Sequence, residues 1–433
     1  MIVERLEKAD LQNLIHAQKS NGRRSISNAQ TSYWKSVHQT AKTLAGNANG
    51  DQRQQKIAQW LSLVTESVAT LADNPSPKYY DYAEMNIIEW FIGHGKGHNP
   101  HYKEKIIEGI LHLIKDFLEF EEDSISGIAV HYQHAMEHID LHDRLGKLND
   151  LYTVTQKAYH KVAGHYFSDF QSPSQDMDIE AYALDETKVS TLMRFTCFPR
   201  TEVHDEFAFL KTIQISEFCY LGIIHSVKEA IDHIEARRYA LAEKCLDHAC
   251  LFVSILHGCF KVLRTMPSKP VNNFALFRDD INKGSAIQSK NYHELDVVLR
   301  GMDPRKIHLF DEHESLTYIK KYMGEYSKYN LKAVFARLNP ADCPGLFKKG
   351  KELDKKLISW RGLHLGFVYA YLSRTMHGTG NTTGAAYLEQ FFKASIFDKE
   401  QAGPMHKWFR GESPHVHTHA HQHAPLKCPV FAR

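Results

Sequence analysis

Apolar residues recur at helical spacing along nearly the whole chain, and strand-like alternation is almost absent. Ile106, Ile107, Ile110, Leu111, Ile114 and Phe117 illustrate the pattern: they fall at i, i+3, i+4 and i+7 and would line one face of a helix. A chain written this way buries its apolar stripes helix against helix, so the expected fold class is all-α, a helical bundle. The spacing predicts helices over 1–18, 31–44, 52–71, 82–92, 102–120 and 126–152, then over 207–236 and 239–263. Shorter ones follow over 274–280, 292–299, 314–338, 349–376 and 384–392.

Asn74-Pro75-Ser76-Pro77 and the 171–175 stretch with Pro173 read as turns or linkers. They divide the chain into an N-terminal all-helical domain of residues 1–195, a second helical domain of residues 196–402, and a tail of residues 403–433. The tail is rich in histidine and proline and is expected to stay solvated.

With 433 residues, 43% hydrophobic and 11% aromatic, the chain can bury a sizeable aromatic-lined core. Lys+Arg against Asp+Glu stands at 53 to 51, which leaves no net field for a polyanion, so neither nucleic acid nor an anionic membrane is an expected partner. No window approaches ~18 uninterrupted apolar residues, and the N-terminus lacks the apolar run of a signal peptide. The seven cysteines are odd in number and form no CxxC pair; Cys245, Cys250 and Cys259 sit in apolar helical sequence as small core residues. A reducing, cytoplasmic setting is expected.

Three segments carry candidate chemistry. One opens a long helix as His204-Asp205-Glu206-Phe207, with acidic residues in its first turn. A second runs Phe274-Ala275-Leu276-Phe277-Arg278 and continues through Gly284-Ser285-Ala286-Ile287-Gln288-Ser289. The third, Ile358 to Leu388, is an apolar helix holding Trp360, Arg361 and His364, followed by Gly378-Thr379-Gly380-Asn381-Thr382-Thr383-Gly384. A buried imidazole on a rigid helix suits an axial haem ligand, and a Gly/Thr loop can set N–H and hydroxyl groups against a polar ligand. Taken alone, His364 reads equally as a satisfied core histidine, Arg278 as a salt-bridge arginine, Phe209 and Phe274 as core, and Gly378 as a helix stop.

In this order the three segments resemble the tryptophan 2,3-dioxygenase branch of the haem-dependent aromatic oxygenases, whose motifs run HDExxFxxxHQxxE, FxxFRxxLxxxSGFQS, and WRxxH followed by GTGG. The resemblance spans roughly residues 200–400. It implies haem b, with His364 as the ligand of its iron, Trp360, Arg361 and Ser285 near the haem, and O2 as co-substrate. It further implies that Arg278 pairs with a substrate carboxylate, that Phe209 and Phe274 line an aromatic slot, and that Thr379 meets the substrate ammonium. The substrate implied is a small aromatic amino acid or an indole, cleaved oxidatively by a homo-oligomer.

Two departures stand out. Ile213 occupies the family's distal histidine position, so no catalytic side chain is expected there and an indole N–H would lack its acceptor. In the loop, Asn381 replaces the last glycine of GTGG. These leave open a haem-dependent aromatic hydroxylase, or a non-enzymatic haem-binding or gas-sensing protein. Two further histidine groups stand apart. His131, His134, His138 and His142 would share one face of a continuous helix, and His415, His417, His419, His421 and His423 alternate along the tail; each reads as a solvated group or a loose metal site.

Overall fold

The computed structural model describes residues 28–46, single positions and a short run between 55 and 88, and residues 101–127, 136–164 and 199. It further describes 201–279, 281, 288–312, 316, 329–372 and 384–397. All regular elements among them are helical, as the apolar periodicity requires. In chain order they are α1 (Asn28–Ala45), α2 (Tyr79–Tyr82), α3 (Tyr102–Ile125), α4 (Leu141–Ala163), α5 (His204–Glu235), α6 (Tyr239–Leu263), α7 (Asn273–Arg278) and α8 (Lys290–Arg300). The remainder are α9 (Ile307–Glu312), α10 (Leu331–Ala336), α11 (Pro344–Tyr371) and α12 (Ala385–Glu389).

The centre of the bundle is the antiparallel pair α5 and α6. Their turn closes with Arg237 in the left-handed region, φ 58°, where its N–H donates to the Ile234 carbonyl and the Arg238 N–H reaches the His233 carbonyl. Gly222 of α5 lets the Phe252 ring of α6 lie against the backbone, since a Cβ there would sit 2.5 Å from the ring. Helices α3 and α4 pack on one side of this pair, and α8 and α11 pack on others. Both α5 and α6 are long and apolar enough to match a membrane span, but 94% of the qualifying window in α5 is buried by the rest of the protein.

One hydrophobic core runs through residues on both sides of position 195, from Ile106, Ile110 and Leu148 to Phe207, Phe252 and Leu357. Helices α3 and α4 therefore complete the same core as α5 and α6. Residues up to Phe397 form one compact unit; the second unit, Asp398–Arg433, lies outside the described residues, as do the five tail histidines.

Several helix limits differ from the periodicity. The helix expected over 126–152 is not continuous and is realised only from Leu141 onward: α3 ends at Ile125, Gly127 turns left-handed at φ 71°, and α4 begins only after Asp140, whose carboxylate accepts the Asp143 N–H at 2.9 Å. The single histidine face is thereby broken. His138 sits in a 3-10 turn and His142 in the first turn of α4, while His131 and His134 lie outside the described residues. The helix expected over 314–338 is likewise cut, because Asn330 caps a new helix by accepting the Ala333 N–H at 2.9 Å. α11 starts earlier than expected, with Pro344 at its first position, where a missing N–H costs nothing.

Candidate functional site

Helix α11 presents one buried face built from Leu357, Trp360, Arg361, His364, Phe367, Val368 and Tyr371, the i, i+3, i+4, i+7 set of a single stripe. Every member is buried except His364, which sits at the middle of the stripe and keeps partial exposure. On α5 every residue from His204 to Ile224 is buried except Phe209. Phe274 of α7 bridges the two helices: its ring centroid lies 5.3 Å from that of Phe209 and 5.9 Å from that of Phe367, one turn beyond His364.

α7 is held there by its own cap. Asn272 accepts the Ala275 N–H through its side-chain oxygen and donates its amide to the Tyr371 carbonyl at 2.7 Å, tying the start of α7 to the end of α11. Phe277, 5.6 Å from Phe209, extends the aromatic wall, and Arg278 ends α7 half-buried. At the opposite end of the face, Tyr220 of α5 meets Trp360 at 5.7 Å. Ile213, one turn from Phe209, and His364 fall between these two points of contact.

The His364 ring touches Phe260, 5.4 Å away, and Trp360, 6.2 Å away, and has no hydrogen-bond partner among the described residues. Burial drives its pKa down to about 4, so the imidazole is neutral near pH 7 with a lone pair available. A neutral, unengaged imidazole on a long helix, packed against aromatic rings, is a donor that would suit a haem iron. No group of three or more histidine, cysteine or carboxylate side chains suited to a bare metal ion occurs among the described residues.

The other expected residues take varied positions. Trp360 is buried and its indole N–H has no acceptor among the described residues. Arg361 is spent on structure: its Nε donates to the Phe392 carbonyl at 3.0 Å and its second amino group to the Ala394 carbonyl, fastening the segment after α12 against α11. Ser285 and Thr379 lie outside the described residues, together with most of the Gly378–Gly384 loop; its last residue, Gly384, adopts φ 61° at the start of α12.

Three features were not foreseen from the sequence. Glu217, on the Ile213 face of α5, is fully buried and accepts from the Tyr79 hydroxyl at 2.5 Å, the Ser289 hydroxyl at 2.5 Å and the Asn291 amide at 2.8 Å. Burial pushes its pKa up. This joins α2 and the start of α8 to the site. The His204-Asp205-Glu206 run forms a buried polar junction rather than an exposed first turn. Arg144 donates to Asp205 at 2.5 Å and to Glu121 at 3.0 Å, Asn273 donates to the other Asp205 oxygen at 2.6 Å, and Glu206 accepts from Thr201. His204 is driven down to about 3, first by burial and then by Arg144. A third junction pairs Lys211 with Asp116 at 2.6 Å, both buried. The only sequence signal for these was charge placed inside an otherwise apolar helix.

No protein-family model matches the chain. Tryptophan 2,3-dioxygenases from two strains of Bradyrhizobium are 31% identical to it over 120 residues, 28% of this chain and 42% of each relative, so the match spans less than half the length of those relatives. A tryptophan 2,3-dioxygenase from Ruegeria pomeroyi is 22% identical over 266 residues, covering 52% of this chain and 94% of the relative. At these identities the similarity supports a distant relation to enzymes of that name and does not specify a substrate.

Proposed function

We propose that the protein is a haem-dependent oxygenase acting on tryptophan or a related indole. The observation that carries this reading is His364, a neutral imidazole without a hydrogen-bond partner among the described residues, at the centre of the buried α11 face and against the Phe260 and Trp360 rings. Haem, when bound through His364, supplies the activation of O2.

The chain's residues supply orientation. Phe209 and Phe274 offer a flat ring one continuous aromatic wall, and Arg278, at the end of α7, offers a guanidinium to a carboxylate in two-point geometry. Thr379 would meet the ammonium group. Ile213 contributes shape alone: it neither takes up a proton nor accepts a hydrogen bond, so an indole N–H buried against it loses about 1–3 kcal/mol unless another acceptor serves it. That loss favours aromatic rings that carry no such N–H or that present it elsewhere. For this reason Ile213 also supports hydroxylation of an aromatic ring as a second reading.

Reduced, haem-loaded protein given tryptophan and O2 is expected to yield N-formylkynurenine. A hydroxylated product instead would select the second reading. No product from any aromatic amino acid or indole, with normal CO binding, would sink both. His364→Ala is expected to lose specific haem binding, and an unchanged Soret band in that variant would defeat the ligand assignment.

A further inference from the structure

Away from the α11 face just described, the last turn of α4 meets the flanks of α6 and α11 around a cleft of about 530 Å³. Its walls carry four lysines, Lys161, Lys244, Lys349 and Lys356, against two carboxylates, Asp247 and Glu352. Both carboxylates are taken by a single cation: Lys349 lies 2.6 Å from Asp247 and 3.5 Å from Glu352. Lys356 donates to the Ser254 hydroxyl at 2.9 Å. Among the described residues, Lys161, Lys244 and Lys356 form no ion pair, and the cleft lining carries an excess of two positive charges, four lysines against two carboxylates.

His248 lines the same cleft. It is nine-tenths buried, its Nδ1 has no hydrogen-bond partner among the described residues, and its pKa is held down at about 4 by burial and by Lys103 and Lys244, so it is neutral. It therefore adds no compensating negative charge to the cleft. Leu251 and Cys250 give the cleft an apolar portion. A volume of this size, part apolar and with a few convergent polar groups, is that of a small-molecule site.

The type of cation narrows the ligand. All four are lysines, point charges on flexible stems; none is an arginine, whose planar fork matches a carboxylate in two-point contact. Several ammonium groups converging from three helices suit a tetrahedral dianion with many acceptor oxygens. We propose that this cleft binds a small molecule bearing a phosphate group, at a site separate from the His364 face but built on the same two helices, α6 and α11.

The test is calorimetric titration of the full chain, with and without haem, using inorganic phosphate, glycerol phosphate, succinate and glycerol as probes. Saturable binding of glycerol phosphate at one equivalent per chain is expected, with glycerol silent and succinate weaker. Lys244→Gln and Lys356→Gln are each expected to weaken it about tenfold, the loss of one charge-assisted contact. Their thermal midpoints in phosphate-free buffer should be equal to or above that of the parent, because each removes repulsion among like charges. No saturable heat, unchanged affinity in both variants, or succinate binding tighter than phosphate would overturn the proposal. Because the readout needs no turnover, its failure is separate from failure of the oxygenase reading.

Discussion

Replacing Arg144 by methionine probes how the site is held in place. The Arg144 side chain is 1% exposed and reaches three helices: it pairs with Glu121 of α3 at 3.0 Å and Asp205 of α5 at 2.5 Å, and its Nε donates to Thr265, just after α6, at 2.7 Å. Methionine fills most of the volume but leaves two fully buried carboxylates without their cation. Breaking a buried pair by removing one partner costs about 3–5 kcal/mol, a large fraction of the ~5–15 kcal/mol by which domains are stable. The urea midpoint should fall by about 1 M or more. The deficit should also depend on pH. Burial already holds Glu121 above the usual carboxylate value, against the pull of Arg144, and removing that pull raises it further. A carboxyl raised in the folded state binds its proton there first, so the variant regains stability as pH falls through that raised value. The gap between variant and parent should therefore narrow as pH falls from neutral into the acid range. A deficit below about 1 kcal/mol at neutral pH, or one that does not change with pH, would show that the two carboxylates are not uncompensated in the variant and would refute the reasoning.

Glu217→Ala strips the acceptor from Tyr79, Ser289 and Asn291, at about 1–3 kcal/mol for each donor left dry, whereas Glu217→Gln keeps an acceptor oxygen; the thermal midpoint should drop at least twice as far in the alanine variant, and equal drops would mean water replaces the carboxylate. His364 and His204 are held at about 4 and about 3, below the ordinary histidine value, so the unfolded chain takes up their protons first. The stability they confer is complete above about pH 6.5 and is lost as pH falls toward those values, about 3 kcal/mol from His364. The urea midpoint of His364→Gln should lose part of this acid slope, and an identical slope would contradict the burial of the ring. Arg278→Leu should weaken the affinity for an aromatic amino acid about tenfold or more while the Soret band stays in place; an unaltered substrate titration would remove Arg278 from the site.

The helix type of each segment and the face it buries are local properties, and the sequence states them directly. Leu357, Trp360, His364, Phe367 and Tyr371 recur at helical spacing and do form one face. Phe209 and Phe274, 65 positions apart, were paired by resemblance and do meet at 5.3 Å. Arg361 shows the limit of that route: the same motif that places it beside His364 says nothing of the Phe392 and Ala394 carbonyls that occupy its guanidinium. The breaks at Gly127 and Asn330 were missed because apolar spacing continues across them, while the stop itself is set by a left-handed residue or a side-chain cap.

By itself, then, the sequence determined an all-helical chain, the α11 face and the position of His364 on it, because a 3.6-residue period and a motif are written in consecutive residues. Tertiary structure alone decided that His364 stays partly open in a buried stripe, that Arg144 serves carboxylates 23 and 61 positions away, and that Glu217 gathers donors 138, 72 and 74 positions distant. The physical reason is desolvation. A charge in an apolar helix is tolerated only where distant segments bring its partner into the same dry volume, and no local pattern records where that partner lies.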